Sequence, residues 1–111
     1  MKDLISFLTI LCLIGGLVSN CSKKAAASTE IIRLPTVKCS LCKKTIENAL
    51  RVADGVQSAE VDVDQKKVPV TFDRSKTDLA KIELSIVNAG YTANDKERSP
   101  EAYEKLPECC K

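Results

Sequence analysis

The sequence predicts an α+β domain in the order β-α-β-β-α-β, with two helices on one face of a four-stranded antiparallel sheet. Three observations carry this. Apolar residues recur at helical spacing in two segments, residues 41–53 and 79–89. Between them, apolar and polar residues alternate in two short runs, residues 58–63 and 68–72, separated by a polar turn. Branched residues flank this block on both sides. The chain of 111 residues has length for one such core and not for two.

The first strand is read over residues 30–38 (EIIRLPTVK), with Ile32, Leu34 and Val37 facing the core and Pro35 marking an irregularity. The first helix puts Cys42, Ile46, Ala49, Leu50 and Ala53 on one stripe and Lys43, Lys44, Glu47 and Arg51 on the other side. Asp54-Gly55 ends it, glycine being free to take the left-handed cap. In the second strand Ala59, Val61 and Val63 face inward; after the DQKK turn, Val68, Val70 and Phe72 do so in the third. Pro69 cannot donate to a sheet ladder, so a bulge or an edge is expected there. Residues 75–78 (SKTD) offer caps for a second helix carrying Leu79, Ile82, Ile86 and Ala89, closed by Gly90. Tyr91-Thr92-Ala93 is expected to form a short last strand. This order is the split βαβ arrangement of ferredoxin-like folds.

The flanks differ in kind. Residues 1–20 carry an apolar run of signal-peptide length, too short for the roughly 20 apolar residues of a spanning helix. The run ends in LVSNC, which resembles the lipobox of bacterial lipoproteins and implies acylation of Cys21. An uncleaved anchor, or a signal cut nearby, would equally take the domain out of the cytoplasm. Residues 21–29 (CSKKAAAST) read as a flexible tether, residues 30–96 as the folded domain, and residues 97–111 as an extended tail with one turn of helix near residues 101–106. Net charge is only +2, no basic block occurs, and the chain has two Tyr, two Phe and no Trp, so nucleic-acid binding has no support.

The chemistry lies in the cysteines. Of the six, Cys12 falls in the leader and Cys21 at its end, which leaves Cys39 with Cys42 and Cys109 with Cys110. The chain has no His, and its single Met is Met1, so side-chain metal donors reduce to thiolate and carboxylate. Cys39 falls just before the first helix and Cys42 in its first turn. Unpartnered N–H groups and the helix dipole favour thiolate there, with Lys38 and Lys43 adding positive charge, so lowered thiol pKa values are expected. Lys44 reads as ordinary solvated helix surface. Thiolates select soft ions, Cu(I), Hg(II) or Cd(II), and less specifically Zn(II). Two ligands leave the ion open to a thiolate of another protein, which suits handing it on. Three alternatives stand beside this. A structural zinc site wants four protein ligands, which both cysteine pairs together would supply. A thiol–disulfide redox pair also sits at a helix start, although no Trp and no Pro between the cysteines support it. A local disulfide would close a very small loop and constrain the unfolded chain little. The context favours metal binding.

TVKCSLCKKTIENAL, VDVDQKKVPVTFD, SKTDL and NAGY together resemble the heavy-metal-associated domain, across residues 31–95, and within it the periplasmic mercury-binding proteins and copper chaperones. The resemblance implies that Cys39 and Cys42 are the metal ligands and that Tyr91 is the family's loop tyrosine beside the metal. It also implies that Val37 fills the place of a buried Met beneath the metal loop. Taken with the lipobox, the reading is of a non-enzymatic, monomeric protein of the bacterial cell envelope that passes Hg(II) or Cu(I) to a transporter or other thiol-bearing acceptor, touching the membrane through its lipid only. Beyond the family's extent, a disulfide between the adjacent Cys109 and Cys110 would be strained. A tail of this length, at about 3.3 Å per residue, can reach back to Cys39 and Cys42. Cys109 and Cys110 are therefore candidate further ligands; the alternative is a mobile tail.

Overall fold

The computed structural model describes residues 27–111. The proposed leader, Cys21 and most of the tether lie outside them. The elements in chain order are β1 (Ala27–Arg33), α1 (Ser40–Arg51), β2 (Val56–Ala59), β3 (Lys67–Asp73), α2 (Leu79–Asn88), α3 (Pro100–Glu104) and a closing 3-10 turn (Glu108–Cys110).

The sheet is antiparallel in the order β1-β3-β2. β1 pairs with β3 from Ala27 opposite Asp73 to Arg33 opposite Lys67. It therefore starts within the segment read as tether and stops short of Leu34. Short polar residues serve at this edge: the Thr29 and Thr71 hydroxyls hydrogen-bond across the strands at 2.9 Å. β3 alternates as its sequence dictates, with Val68, Val70 and Phe72 buried against the helices. The opposite face is open, with Ile31 59% exposed opposite Pro69.

Pro69 cuts the other ladder. β2 pairs Ala59 with Val70, and beyond a gap Asp62 and Lys67 exchange backbone bonds of 2.8 and 3.1 Å. Continuing that register puts Glu60 opposite Pro69, which has no N–H to offer its carbonyl. The expected irregularity is thus an interruption of a central strand's pairing, and β2 is shorter than expected. A separate register shift falls between Val56 and Ser58. Val61, inside the gap, donates its N–H to the Glu47 carboxylate on α1 at 3.0 Å.

The fourth strand expected over Tyr91-Thr92-Ala93 is not formed; the described residues make a three-stranded sheet. One asparagine takes its place. Asn94 adopts a left-handed φ of 52°, accepts the Arg33 N–H on Oδ1 at 2.8 Å and donates its own N–H to the Arg33 carbonyl at 2.9 Å. Its Nδ2 donates to the buried Glu83 carboxylate at 3.0 Å. The end of β1 is satisfied by a turn, so no further ladder is needed.

α1 and α2 bury Ile46 and Leu50, and Ile82 and Ile86, on the same side of the sheet as Ile32, Leu34, Val37 and Val68. Asp78 caps α2, accepting the Lys81 N–H at 2.9 Å. Gly90, at φ 103°, turns the chain after it. The tail then departs from the extended form expected of it. Ser99 and Pro100 start α3, the Ser99 N–H reaches the Val87 carbonyl at 3.2 Å, and Leu106 packs against the core. The chain end returns to the start of α1.

Candidate metal centre

The site sits where β1 hands over to α1. Cys39 is the N-cap residue, in extended backbone (φ −147°, ψ 175°), and Cys42 lies one turn in. Their Sγ atoms are 3.5 Å apart. Cys42 is fully buried and Cys39 half-buried. Val37, two residues before Cys39, is fully buried in the core.

The returning tail brings one of its cysteines to this pair. Cys110, only 1% exposed, places its Sγ 2.9 Å from Cys42 Sγ and 3.9 Å from Cys39 Sγ. Cys39, Cys42 and Cys110 thus form a cluster whose sulfurs all lie within 4.8 Å of one another. Cys109 stays outside it. Its side chain is exposed, its Sγ is 3.9 Å from Cys110 Sγ, and its carbonyl faces Cys39 Sγ at 3.7 Å. The two tail cysteines are therefore not equivalent, and a four-sulfur site is not assembled among the described residues.

The sulfurs differ electrostatically. The Cys39 thiol is brought down to about 7, chiefly by the Cys42 backbone N–H at the start of α1, then by the Cys42 side chain. Burial pushes the Cys110 thiol up to about 12, and the neighbouring Cys42 thiol adds to this. Tyr91 closes the inner wall. It is fully buried, and its hydroxyl is the one enclosed side-chain polar atom among the described residues with no hydrogen-bond partner. Burial, and after it the adjacent Cys110 and Cys42 thiols, hold the phenol well above its ordinary range.

The two lysines take other partners. Lys38 Nζ donates to the main-chain oxygen of Lys111, the last residue, and so clips the tail beside the site. Lys43 reaches toward Glu60 at 4.0 Å, at the edge of ion-pair distance. Gly90 closes α2 as expected and, with Leu106, also seats the tail, a role its sequence context does not show: a Cβ on Gly90 would lie 3.0 Å from Leu106 Cδ1 and 3.1 Å from the Ala102 carbonyl. The signal available was Ser99-Pro100 at a helix start, with Leu106 following as the tail's apolar anchor.

Chemically, three thiol sulfurs around one point form a soft donor set that fits Hg(II) or Cu(I). Among the described residues no helix is long and apolar enough to cross a membrane.

Comparison with known proteins agrees with this chemistry. The chain is 40% identical over 73 residues, 66% of its own length and 80% of the relative's, to a mercuric transport protein periplasmic component of Shewanella putrefaciens. It is 38% identical over 64 residues, 58% of its length and 94% of the relative's, to the copper chaperone CopZ of Staphylococcus aureus. The structure of oxidized MerP from Ralstonia metallidurans superposes with a TM-score of 0.60 at 30% identity, covering 62% of this chain and 96% of that one. Residues 31–92 match the family described as the heavy-metal-associated domain. By sequence, fold and donor set, the chain belongs to the heavy-metal-associated domain family.

Proposed function

We propose that this protein captures a soft heavy-metal ion, Hg(II) or Cu(I), through Cys39 and Cys42, and passes it to a transporter or other thiol-bearing acceptor. The single observation that carries the reading is the pairing of unlike sulfurs at one helix start, 3.5 Å apart. Cys39 is half-buried and acidic enough to meet the ion as thiolate near neutral pH. Cys42 is buried and holds the ion against the core. Transfer is thiolate exchange: an incoming thiolate forms a bond to the metal as one protein–metal bond breaks, with no change in oxidation state. No catalytic step is involved. The names of the relatives, a periplasmic mercuric transport component and a copper chaperone, support the class of ion. Residues 1–20 direct export, Cys21 carries a lipid, and residues 30–96 work as a monomer facing the periplasm or cell exterior. Zn(II), a borderline ion that prefers four ligands in structural sites, is held more weakly.

Competitive titration of the reduced protein with Hg(II), Cu(I) and Zn(II), beside a Cys39→Ser/Cys42→Ser variant, tests the site. Binding is expected to follow the soft ions and to vanish in the variant; retention there overturns the assignment. Metal-independent disulfide reduction would favour an oxidoreductase instead. For the location, Cys21→Ser is expected to move the protein from the membrane to the soluble fraction.

A further inference from the structure

The geometry points to Cys110 as a third metal ligand, which makes the centre a three-thiolate site closed by the protein's own C-terminal tail. This inference rests on the soft-metal reading above and adds a residue outside the family's matched extent, which ends at residue 92.

Three observations support it. The first is spacing. Sulfurs bound to one ion at about 2.3 Å each lie roughly 4.0 Å apart in a trigonal plane and about 4.6 Å apart across a linear site. The three separations here are 2.9, 3.5 and 3.9 Å. Cys39 and Cys42 would have to open by about 1 Å for linear coordination but by only about half that for trigonal. Cys110 lies on the side of the third corner: its 3.9 Å from Cys39 matches a trigonal edge, and its 2.9 Å from Cys42 would open by about 1 Å on binding.

The second is the unsatisfied Tyr91 hydroxyl. It is fully enclosed with no oxygen or nitrogen partner, which is rare in a folded protein, and only weakly accepting thiol sulfurs lie beside it. The neighbouring sulfurs are Cys42 and Cys110. A metal converts these from thiols to thiolates, which are acceptors only, and the hydroxyl then has a charged partner to donate to. The third is that the tail is built to arrive. Leu106 is seated over Gly90, and Lys38 holds the main-chain oxygen of Lys111, so Cys110 is fixed on both sides. Binding balances as three thiols releasing three protons to form three metal–sulfur bonds. The site then carries −1 with Hg(II) and −2 with Cu(I), and the Lys38 ammonium lies beside it.

The test uses the reduced full-length chain in detergent with Cys12→Ser and Cys21→Ser, so that Cys39, Cys42, Cys109 and Cys110 are the only thiols. X-ray absorption on the complex with one equivalent of Hg(II) is expected to show three sulfurs. Cys109→Ser should leave that shell unchanged. Cys110→Ser should reduce it to two and weaken binding at least tenfold against a dithiol competitor. A two-sulfur shell in the parent chain, or three sulfurs retained in Cys110→Ser, overturns the inference; the parent measurement requires no tail variant to fold. Loss of all binding in Cys39→Ser/Cys42→Ser alongside a two-sulfur parent shell would sink the third ligand alone. Undiminished binding in that double variant would sink the underlying reading.

Discussion

Replacing Tyr91 by Phe should move the metal-free and metal-loaded proteins in opposite directions. In the metal-free state the buried hydroxyl has only the weakly accepting Cys42 and Cys110 thiols beside it, and an unsatisfied buried polar group costs about 1–3 kcal/mol. Tyr91→Phe removes that penalty while keeping the ring in the core, so the metal-free variant should be equally or more stable, by up to about 1–2 kcal/mol. In the metal-loaded state the hydroxyl can donate to the Cys42 or Cys110 thiolate, and a hydrogen bond to a charged group contributes about 1.5–3 kcal/mol. Losing it should weaken metal binding about tenfold or more, since each 1.4 kcal/mol is a factor of ten. Urea unfolding of the reduced metal-free protein and competition titration with Hg(II) measure the two halves separately. A variant that loses stability without metal and keeps its affinity would refute the reasoning, because the hydroxyl would then be serving the fold and not the sulfurs.

Three further outcomes are expected. Alkylation of Cys39, followed residue by residue by peptide mass analysis in the otherwise unaltered reduced chain, should rise with pH to a plateau with a midpoint near 7, below the 9.0 of an ordinary thiol. Since its folded-state value is depressed, this thiolate favours the fold above about 9 and that contribution fades as pH falls through 7; a midpoint above about 8.5 would refute the helix-start effect. Gly90→Ala forces a side chain into φ 103° and against the Ala102 carbonyl, and should cost about 1–3 kcal/mol while loosening the tail. Gly55→Ala, at φ 82° and crowded by Thr77, should cost a similar amount yet leave metal coordination unchanged, so equal effects on coordination would refute the seating role. Asn94→Gly keeps the left-handed turn and the backbone bond to the Arg33 carbonyl but removes the side-chain bonds to the Arg33 N–H and the Glu83 carboxylate, at a cost of about 1–3 kcal/mol by urea unfolding; an unchanged midpoint would refute its role in closing β1.

Both helices were legible because their apolar stripes are regular; α2 also starts on a recognisable cap, Asp78, whereas α1 has no capping side chain and ends at Val52, before the Asp54-Gly55 expected to cap it. Cys42, Ile46 and Leu50 are buried where the stripe places them, as are Ile82 and Ile86. Pro69 was legible as a disruption because a missing donor acts the same in any context. The fourth strand was misread because Tyr91 and Ala93 are indeed buried, which an inward-facing strand would also give. What decides against it is one residue, Asn94, whose side-chain oxygen and own N–H make the bonds a ladder would have made, and composition does not reveal that. β1 was placed too late because ASTE has no apolar residue larger than Ala27, while its pairing with β3 asks only for extended backbone. At the site, the Cys39–Cys42 pair could be read from spacing alone. That Cys110 turns in while Cys109 turns out depends on the final 3-10 turn and on where Leu106 anchors, neither of which the vicinal pair encodes by itself.

A third thiolate on the tail also bears on how a tightly held ion can leave. α3 has five residues and buries none of them, so it has little stability of its own. Beyond Ser99 the tail's hold rests on Leu106, Cys110 and the Lys38 contact, and few buried contacts mean a low cost of local opening. While the tail is docked, its sulfur acts at an effective concentration in the millimolar range, which no dilute single thiol matches. Once it lifts, Cys110 leaves with it, and Cys39 and Cys42 present a two-coordinate ion to whatever approaches. An acceptor offering two thiols replaces the tail in one encounter and then competes with Cys39 and Cys42 on equal terms. Marginal packing of the tail is thus compatible with both tight retention and rapid transfer, because the same segment supplies the ligand and the motion that removes it.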